Sequence, residues 1–189
     1  MIQKFQVQAS ALALLLSGVL LISGWTLNAQ RDSLIGASFA MAGYVLSGFG
    51  LTGLFAFQSR QTGWLGLFGW FAMLGATFLF IPFVFADIAR LSGVAPGLDR
   101  KLIESSGGTF VIGAISGVAY MLGLPAYGIA SLRARLLWRW PAFLLIAAAF
   151  MPLVAMWLGT NKLLARIAGL AFIGFGINLW RLAKSIDEA

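Results

Sequence analysis

Residues 63–85, GWLGLFGWFAMLGATFLFIPFVF, decide the fold, because this stretch contains no charged residue. As an α-helix rising roughly 1.5 Å per residue it would be about 35 Å long, and the hydrocarbon core of a bilayer is about 30 Å thick. The stretch therefore predicts a helix that crosses a membrane.

The composition extends this prediction to the whole chain. Of 189 residues, 60% are hydrophobic and 10% are charged. Such a chain cannot cover its apolar surface with polar side chains in water, so it is expected to be an integral membrane protein. We expect the first apolar segment to be retained, because Leu27-Asn28-Ala29 is a poor cleavage site for a signal peptidase.

Similar apolar segments recur along the chain, separated by short polar turns. The pattern predicts an all-α membrane protein, a six-transmembrane-helix bundle forming a single domain over residues 1–189. One longer extracytoplasmic loop, residues 87–108, is expected between helices 3 and 4, with a short helix over residues 100–104. The predicted spans are 9–27, 34–57, 63–85, 109–132, 141–159 and 163–182.

The basic residues predict the orientation. The net charge is +7, and Arg133, Arg135 and Arg139 share one short loop. Because cytoplasmic loops of membrane proteins are enriched in Lys and Arg, we expect a multi-pass protein of the bacterial inner membrane with both termini cytoplasmic. Anionic lipid headgroups are the expected partners of the three arginines, and nucleic acid is not.

The chain contains neither Cys nor His. This composition excludes disulfides, thiol chemistry, Cys or His metal sites, His-ligated haem and Ser-His catalytic pairs. We therefore predict no catalytic residues, no metal site and no cofactor, with a bound lipid or pigment as the exception left open.

Small residues at helical spacing are typical of close helix packing in membranes. On the second span, the alternative is a groove for a lipid, a carotenoid or another flat hydrophobic ligand. A homo-oligomer or another membrane protein is a further expected partner of such surfaces. The predicted packing residues are Gly43, Ser47, Gly50, Gly53, Gly113, Gly117, Gly169 and Gly176.

Prolines inside spans predict kinks at Pro82, Pro125 and Pro152, because each removes a backbone hydrogen bond. A shift of 70 residues also aligns 53–85 with 123–155, matching Pro82 with Pro152. An internal repeat and chance similarity between two Leu-, Ala-, Gly- and Phe-rich segments both explain this alignment.

Tryptophans near span ends are typical of the aromatic belt at the headgroups. We expect Trp70, which lies inside a span, to pack between helices. The predicted interface anchors are Trp25, Trp64, Trp138, Trp140, Trp157 and Trp180.

Asp87 and Arg90 lie one helical turn apart just beyond the third apolar run. Their spacing predicts an interfacial ion pair. The alternative is a carboxylate at the mouth of an ion or proton pathway.

Three segments together resemble a group of uncharacterised bacterial membrane proteins of similar length. They are LTGLFAFQSRQTGWLGLFGWFAMLGATFLF (51–80), APGL (95–98) and GIASLRARLLWRWPAFLLIAAAFMPL (128–153). The resemblance implies a six-helix bundle with no assigned reaction and no functional residues to transfer.

Three functions remain compatible with the sequence. The favoured one is a non-catalytic accessory or scaffold subunit that packs against partner helices or lipids. The first alternative is a small-solute or ion transporter or channel with Asp87 near the pathway mouth, and the second is a lipid- or pigment-binding membrane protein.

Overall fold

A computed structural model of the protein describes residues 4–31, 33–95, 97, 107–158 and 163–185, with side chains described for 4–28, 33–95, 97, 107–151 and 165–185. The described residues form five helices: α1 (Lys4–Arg31), α2 (Leu34–Leu91), α3 (Gly107–Ala134), α4 (Arg139–Leu158) and α5 (Leu163–Ser185). In α1, α2, α3 and α5, the described residues are long and apolar enough to cross a membrane. The all-α fold with helices that are long and apolar enough to span a membrane is confirmed, whereas the predicted count of six helices is not.

Helix α2 contains 58 residues and folds back on itself at Gly63. Gly63 has φ 57° and ψ −153°, a backbone region that essentially only glycine adopts. Rings far apart in sequence meet across the bend, with centroids 4.7 Å apart for Phe55 and Trp70 and 5.4 Å apart for Tyr44 and Phe80. The helix is therefore a hairpin with a first arm (residues 34–62) and an antiparallel second arm (residues 64–91).

The turn expected between the predicted spans 34–57 and 63–85 is misplaced, since residues 58–62 continue the first arm of α2. Two polar side chains of this segment, Gln58 and Thr62, are buried and hydrogen-bonded. Ser131 Oγ donates to Gln58 Oε1 at 3.1 Å, and Thr62 Oγ1 donates to the Gln58 carbonyl at 3.1 Å. Because these groups are hydrogen-bonded, they can be buried in a helix, and the chain reverses only at Gly63.

The helices form a closed ring. Each one packs against the next along the chain, and α5 returns to α1. Large apolar side chains point outward, including Phe49 at 70% and Phe71 at 71% exposed. An apolar exterior of this kind is unfavourable in water but matches the hydrocarbon of a bilayer.

Three further sequence predictions bear on the helix boundaries. α2 continues through Asp87 to Leu91, so the predicted loop at residues 87–108 starts too early. α2 and α3 continue through Pro82 and Pro125, and Gly63 alone has non-helical dihedrals inside the described α2. The side chain of Pro152 and the predicted helix at residues 100–104 lie outside the described parts.

Candidate functional site

The glycine strip of the second predicted span faces α1. A Cβ added at Gly43 would lie 2.8 Å from Leu21 Cγ, and one at Gly50 would lie 2.6 Å from Leu14 Cγ. At Gly53 it would collide with the side chain of Ser10. α1 thus occupies the place where the sequence alternative put a flat hydrophobic ligand.

The glycines of α5 also lie against α1. A Cβ at Gly169 would lie 2.9 Å from the carbonyl oxygen of Gly18, and one at Gly176 would lie 2.8 Å from that of Ala11. The strip of α3 is different, because a Cβ at Gly113 would meet only the Phe83 ring at 3.4 Å, and one at Gly117 would meet nothing within 4 Å. Gly117 therefore does not form the predicted close contact.

Trp25 is not an interface anchor. It is only 8% exposed, and its indole Nε1 donates to the Tyr44 hydroxyl at 3.2 Å. The prediction is wrong because a hydroxyl inside the bundle offers the indole N–H a partner, so the ring can be buried. Tyr44 is itself 6% exposed and lies near the middle of the first arm of α2.

A similar link joins the second arm of α2 to α3. The Tyr120 hydroxyl lies 2.8 Å from Thr77 Oγ1, and Ser116 Oγ donates to the Ala76 carbonyl at 2.9 Å. In the first pair of helices, Ser17 Oγ of α1 donates to the Gly43 carbonyl at 2.9 Å. Each of these two helix contacts thus has a hydrogen bond from a serine to a backbone carbonyl, directly beside a hydrogen bond that involves a tyrosine hydroxyl.

The two hydroxyl links border one internal cavity of about 20 Å³. Its polar lining is Tyr44, Ser47 and Tyr120, and the helices that contribute are α1, the first arm of α2, α3 and α5. A site of this size holds one water molecule and excludes larger solutes. The remaining lining residues are apolar: Leu21, Leu124, Ala165, Ala168 and Phe172.

Sequence reasoning missed these neutral polar residues because it searched the spans for charges. The available signal was the presence of hydroxyl side chains inside the apolar runs, as at Ser17, Tyr44, Thr77, Ser116 and Tyr120. Since hydrocarbon offers no hydrogen-bond partner, such groups tend to face another helix. Spacing alone does not reveal which helix supplies the partner.

A second group of buried polar atoms lies nearer the Gly63 bend. Gln58 Nε2, Trp70 Nε1 and the Tyr127 hydroxyl have no hydrogen-bond partner among the described residues. The backbones are tightly apposed here, because a Cβ at Gly69 would collide with the Tyr127 backbone nitrogen. Trp70 packs between helices as predicted from sequence, with its ring stacked on Phe55.

The predicted Asp87 and Arg90 pair lies at the end of α2. Asp87 Oδ1 is 3.8 Å from Arg90 Nη2, and Asp87 is 7% exposed. The internal cavity is lined by other residues. The carboxylate therefore ends a helix and does not line the interior space between the two hydroxyl links.

Exposed arginines and aromatic rings lie together where α3 ends and α4 begins. Arg133, Arg135 and Arg139 are exposed. Trp138 is fixed to α5, because its backbone N–H donates to Asn178 Oδ1 at 3.2 Å and its ring lies 4.4 Å below the Arg181 guanidinium carbon. This end of the bundle presents exposed positive charge beside a tryptophan that is held against α5.

The remaining predicted anchors differ in exposure. Trp64 is 84% exposed, whereas Trp138, Trp140 and Trp180 lie between 37% and 42%. The side chain of Trp157 lies outside the described residues.

An apolar groove of about 440 Å³ lies on the outer surface between the second arm of α2 and α3. Phe68 and Ala72 form one wall, and residues from Ala114 to Leu122 form the other. The lining is almost entirely apolar, so the groove suits a hydrocarbon chain rather than a polar solute.

Comparisons with protein-family models, with curated proteins and with solved structures find no match. Within the described part of the chain, no three His, Cys, Asp or Glu side chains form a group that could hold a metal ion. The interior chemistry comes from neutral hydroxyl, indole and amide groups, which form hydrogen bonds and join helices.

Proposed function

We propose that this protein is a non-catalytic accessory or scaffold subunit of the bacterial inner membrane, working through contacts with partner helices or lipids. One observation carries the proposal. The cavity between the hydroxyl links holds about one water molecule, while large apolar side chains point outward from the helices. Because the interior has so little free space and the exterior is apolar, we expect partners to bind at the outer surface.

The proposed topology has six crossings. Each arm of α2 contains enough residues for about 40 Å of helix, which exceeds the hydrocarbon thickness of about 30 Å. The arms therefore cross separately, and α4 supplies the remaining crossing. Both termini and the arginine-bearing loop between α3 and α4 then face the cytoplasm, where anionic headgroups neutralise Arg133, Arg135 and Arg139.

Purification in a mild detergent tests the scaffold role. We expect the protein to copurify from native membranes with a defined partner chain or tightly held lipid, and to migrate larger than one chain. A monomer that retains neither would contradict the proposal. A reporter fused to the C-terminus tests the topology, since activity only outside the cell would reverse the orientation.

A transporter remains the rival, and the position of Asp87 at a helix end argues against it. Flux into proteoliposomes that disappears in Asp87→Asn would establish the rival and exclude the scaffold role. The control is Asp87→Glu, which keeps the charge and would retain the flux of a transporter.

The outer groove favours a second candidate function, the binding of a lipid or pigment. Its walls expose Phe68 at 52% and Val118 at 55%, which gives a hydrocarbon chain an apolar bed between two helices. Solvent extraction of the purified protein, together with its absorbance spectrum, tests this role. Substitution of Ala72 by Phe would fill the groove and should release the bound molecule.

A further inference from the structure

We propose that the cavity bordered by Tyr44, Ser47 and Tyr120 binds one structural water molecule, which joins the two hydroxyl-linked pairs of helices. The ligand is a single neutral molecule that both donates and accepts hydrogen bonds.

The donor count at Thr77 orients the Tyr120 hydroxyl. Thr77 Oγ1 has one hydrogen, which it donates to the Met73 carbonyl at 2.8 Å. The 2.8 Å contact between Thr77 and Tyr120 must then use the phenolic hydrogen of Tyr120. Tyr120 lines the cavity, and its phenolic oxygen therefore keeps acceptor capacity and has no further hydrogen to donate.

The Ser47 hydroxyl can likewise accept a hydrogen bond but has no further hydrogen to donate. Its hydroxyl hydrogen goes to the Tyr44 backbone carbonyl at 2.7 Å. The Ser47 oxygen therefore keeps free lone pairs. Two acceptors on two different helices thus line one small cavity.

Tyr44 has the opposite requirement. Its phenolic oxygen accepts from Trp25 Nε1, so the phenolic hydrogen still needs an acceptor. Among the described residues, no protein atom accepts a hydrogen bond from it. Because a buried donor without a partner is destabilising, an acceptor in the cavity would be strongly favoured.

One water molecule meets all three requirements. It accepts from Tyr44 and donates its two hydrogens to Tyr120 and Ser47, which gives the number of bonds that buried waters commonly make. The cavity volume of about 20 Å³ matches one water. A lipid chain or an ion would be too large or would leave these groups unmatched.

The decisive experiment is a structure of the wild-type protein in lipid nanodiscs at a resolution that shows ordered water. We expect density within about 3 Å of the Tyr44, Ser47 and Tyr120 oxygens. A direct bond between the two phenolic oxygens, or a cavity without density, would overturn the proposal.

Thermal unfolding of Tyr44→Phe, Tyr120→Phe and the double variant provides an independent test. If one water bridges both hydroxyls, the double variant loses less in melting temperature than the sum of the single losses. Additive losses would contradict the bridge. Tyr127→Phe is the control, since Tyr127 is a buried tyrosine of α3, the helix that carries Tyr120, and does not line the cavity; its loss should add to that of Tyr44→Phe.

Discussion

The contact of α1 with the first arm of α2 and the contact of the second arm with α3 use the same hydrogen bonds but different packing. Both have a serine bonded to a carbonyl beside an aromatic hydroxyl contact. Glycines line the first contact from Gly24 and Gly36 to Gly53, whereas close approach in the second is concentrated near Gly69 and Gly123. The second contact leaves the apolar groove on its outer side. The two contacts therefore have the same type of polar link, although the helix backbones approach each other closely along more of the first contact than of the second.

The largest expected loss of stability comes from substitutions that disrupt the close helix packing in either contact. A Cβ at Gly24 would lie 2.5 Å from the Ala40 nitrogen, and one at Gly69 would collide with the Tyr127 nitrogen. Because backbone atoms cannot move aside as flexible side chains can, Gly24→Ala and Gly69→Ala should each lose about 3 kcal/mol of stability. Denaturant titration in mild detergent measures the loss.

The matched controls are Gly48→Ala in the first arm and Gly75→Ala in the second. A Cβ at either position meets nothing within 4 Å, so neither variant should be destabilised. If Gly69→Ala were as stable as Gly75→Ala, the tight second contact would be refuted.

The next largest loss of stability is expected at the bend between the two arms of α2. Gly63→Ala should cost about 2 kcal/mol, although the added Cβ has open space, because its φ of 57° and ψ of −153° are strained for any other residue. The same titration measures this loss. A stability equal to that of wild type would mean that the bend adopts another backbone conformation.

A smaller change, this time a gain of stability, is expected at Gly117 in α3. Gly117 has open space and lies inside a helix, so Gly117→Ala should gain up to about 1 kcal/mol from helix propensity. A thermal scan of the monomeric protein reports this gain. A loss that appears only in the oligomer would instead place Gly117 in a contact between subunits.

The smallest effect tests the similarity of the two contacts. Ser17→Ala and Ser116→Ala each remove one hydrogen bond to a carbonyl, and such bonds between membrane helices average about 0.6 kcal/mol. The losses should be equal within the error of parallel denaturant titrations. Unequal losses would show that the two polar links differ in strength despite similar geometry.

The sequence predicted the four helices that are long and apolar enough to span a membrane, because hydropathy favours long apolar helices, whereas the count of six remains a prediction. It misplaced the reversal after the first arm, since Gln58 and Thr62 look like turn residues until Ser131 is known to face Gln58. It placed Trp25 at the headgroups for the same reason: its partner, Tyr44, belongs to another helix.

The glycines also show what the sequence of one helix can and cannot predict. Their spacing indicated a packing surface at Gly43 and Gly50, where α1 supplies Leu21 and Leu14. The equally regular Gly113 and Gly117 have no such close partner. A helix carries its own periodicity, but the position of the neighbouring backbone depends on the whole fold.

The bend at Gly63 also limits how the molecule can move. With one residue reversing the chain and ring contacts at Phe55 and Tyr44 joining the arms, neither arm can slide along the other by a helical turn. The hairpin should therefore shift as a rigid unit against its neighbours α1 and α3.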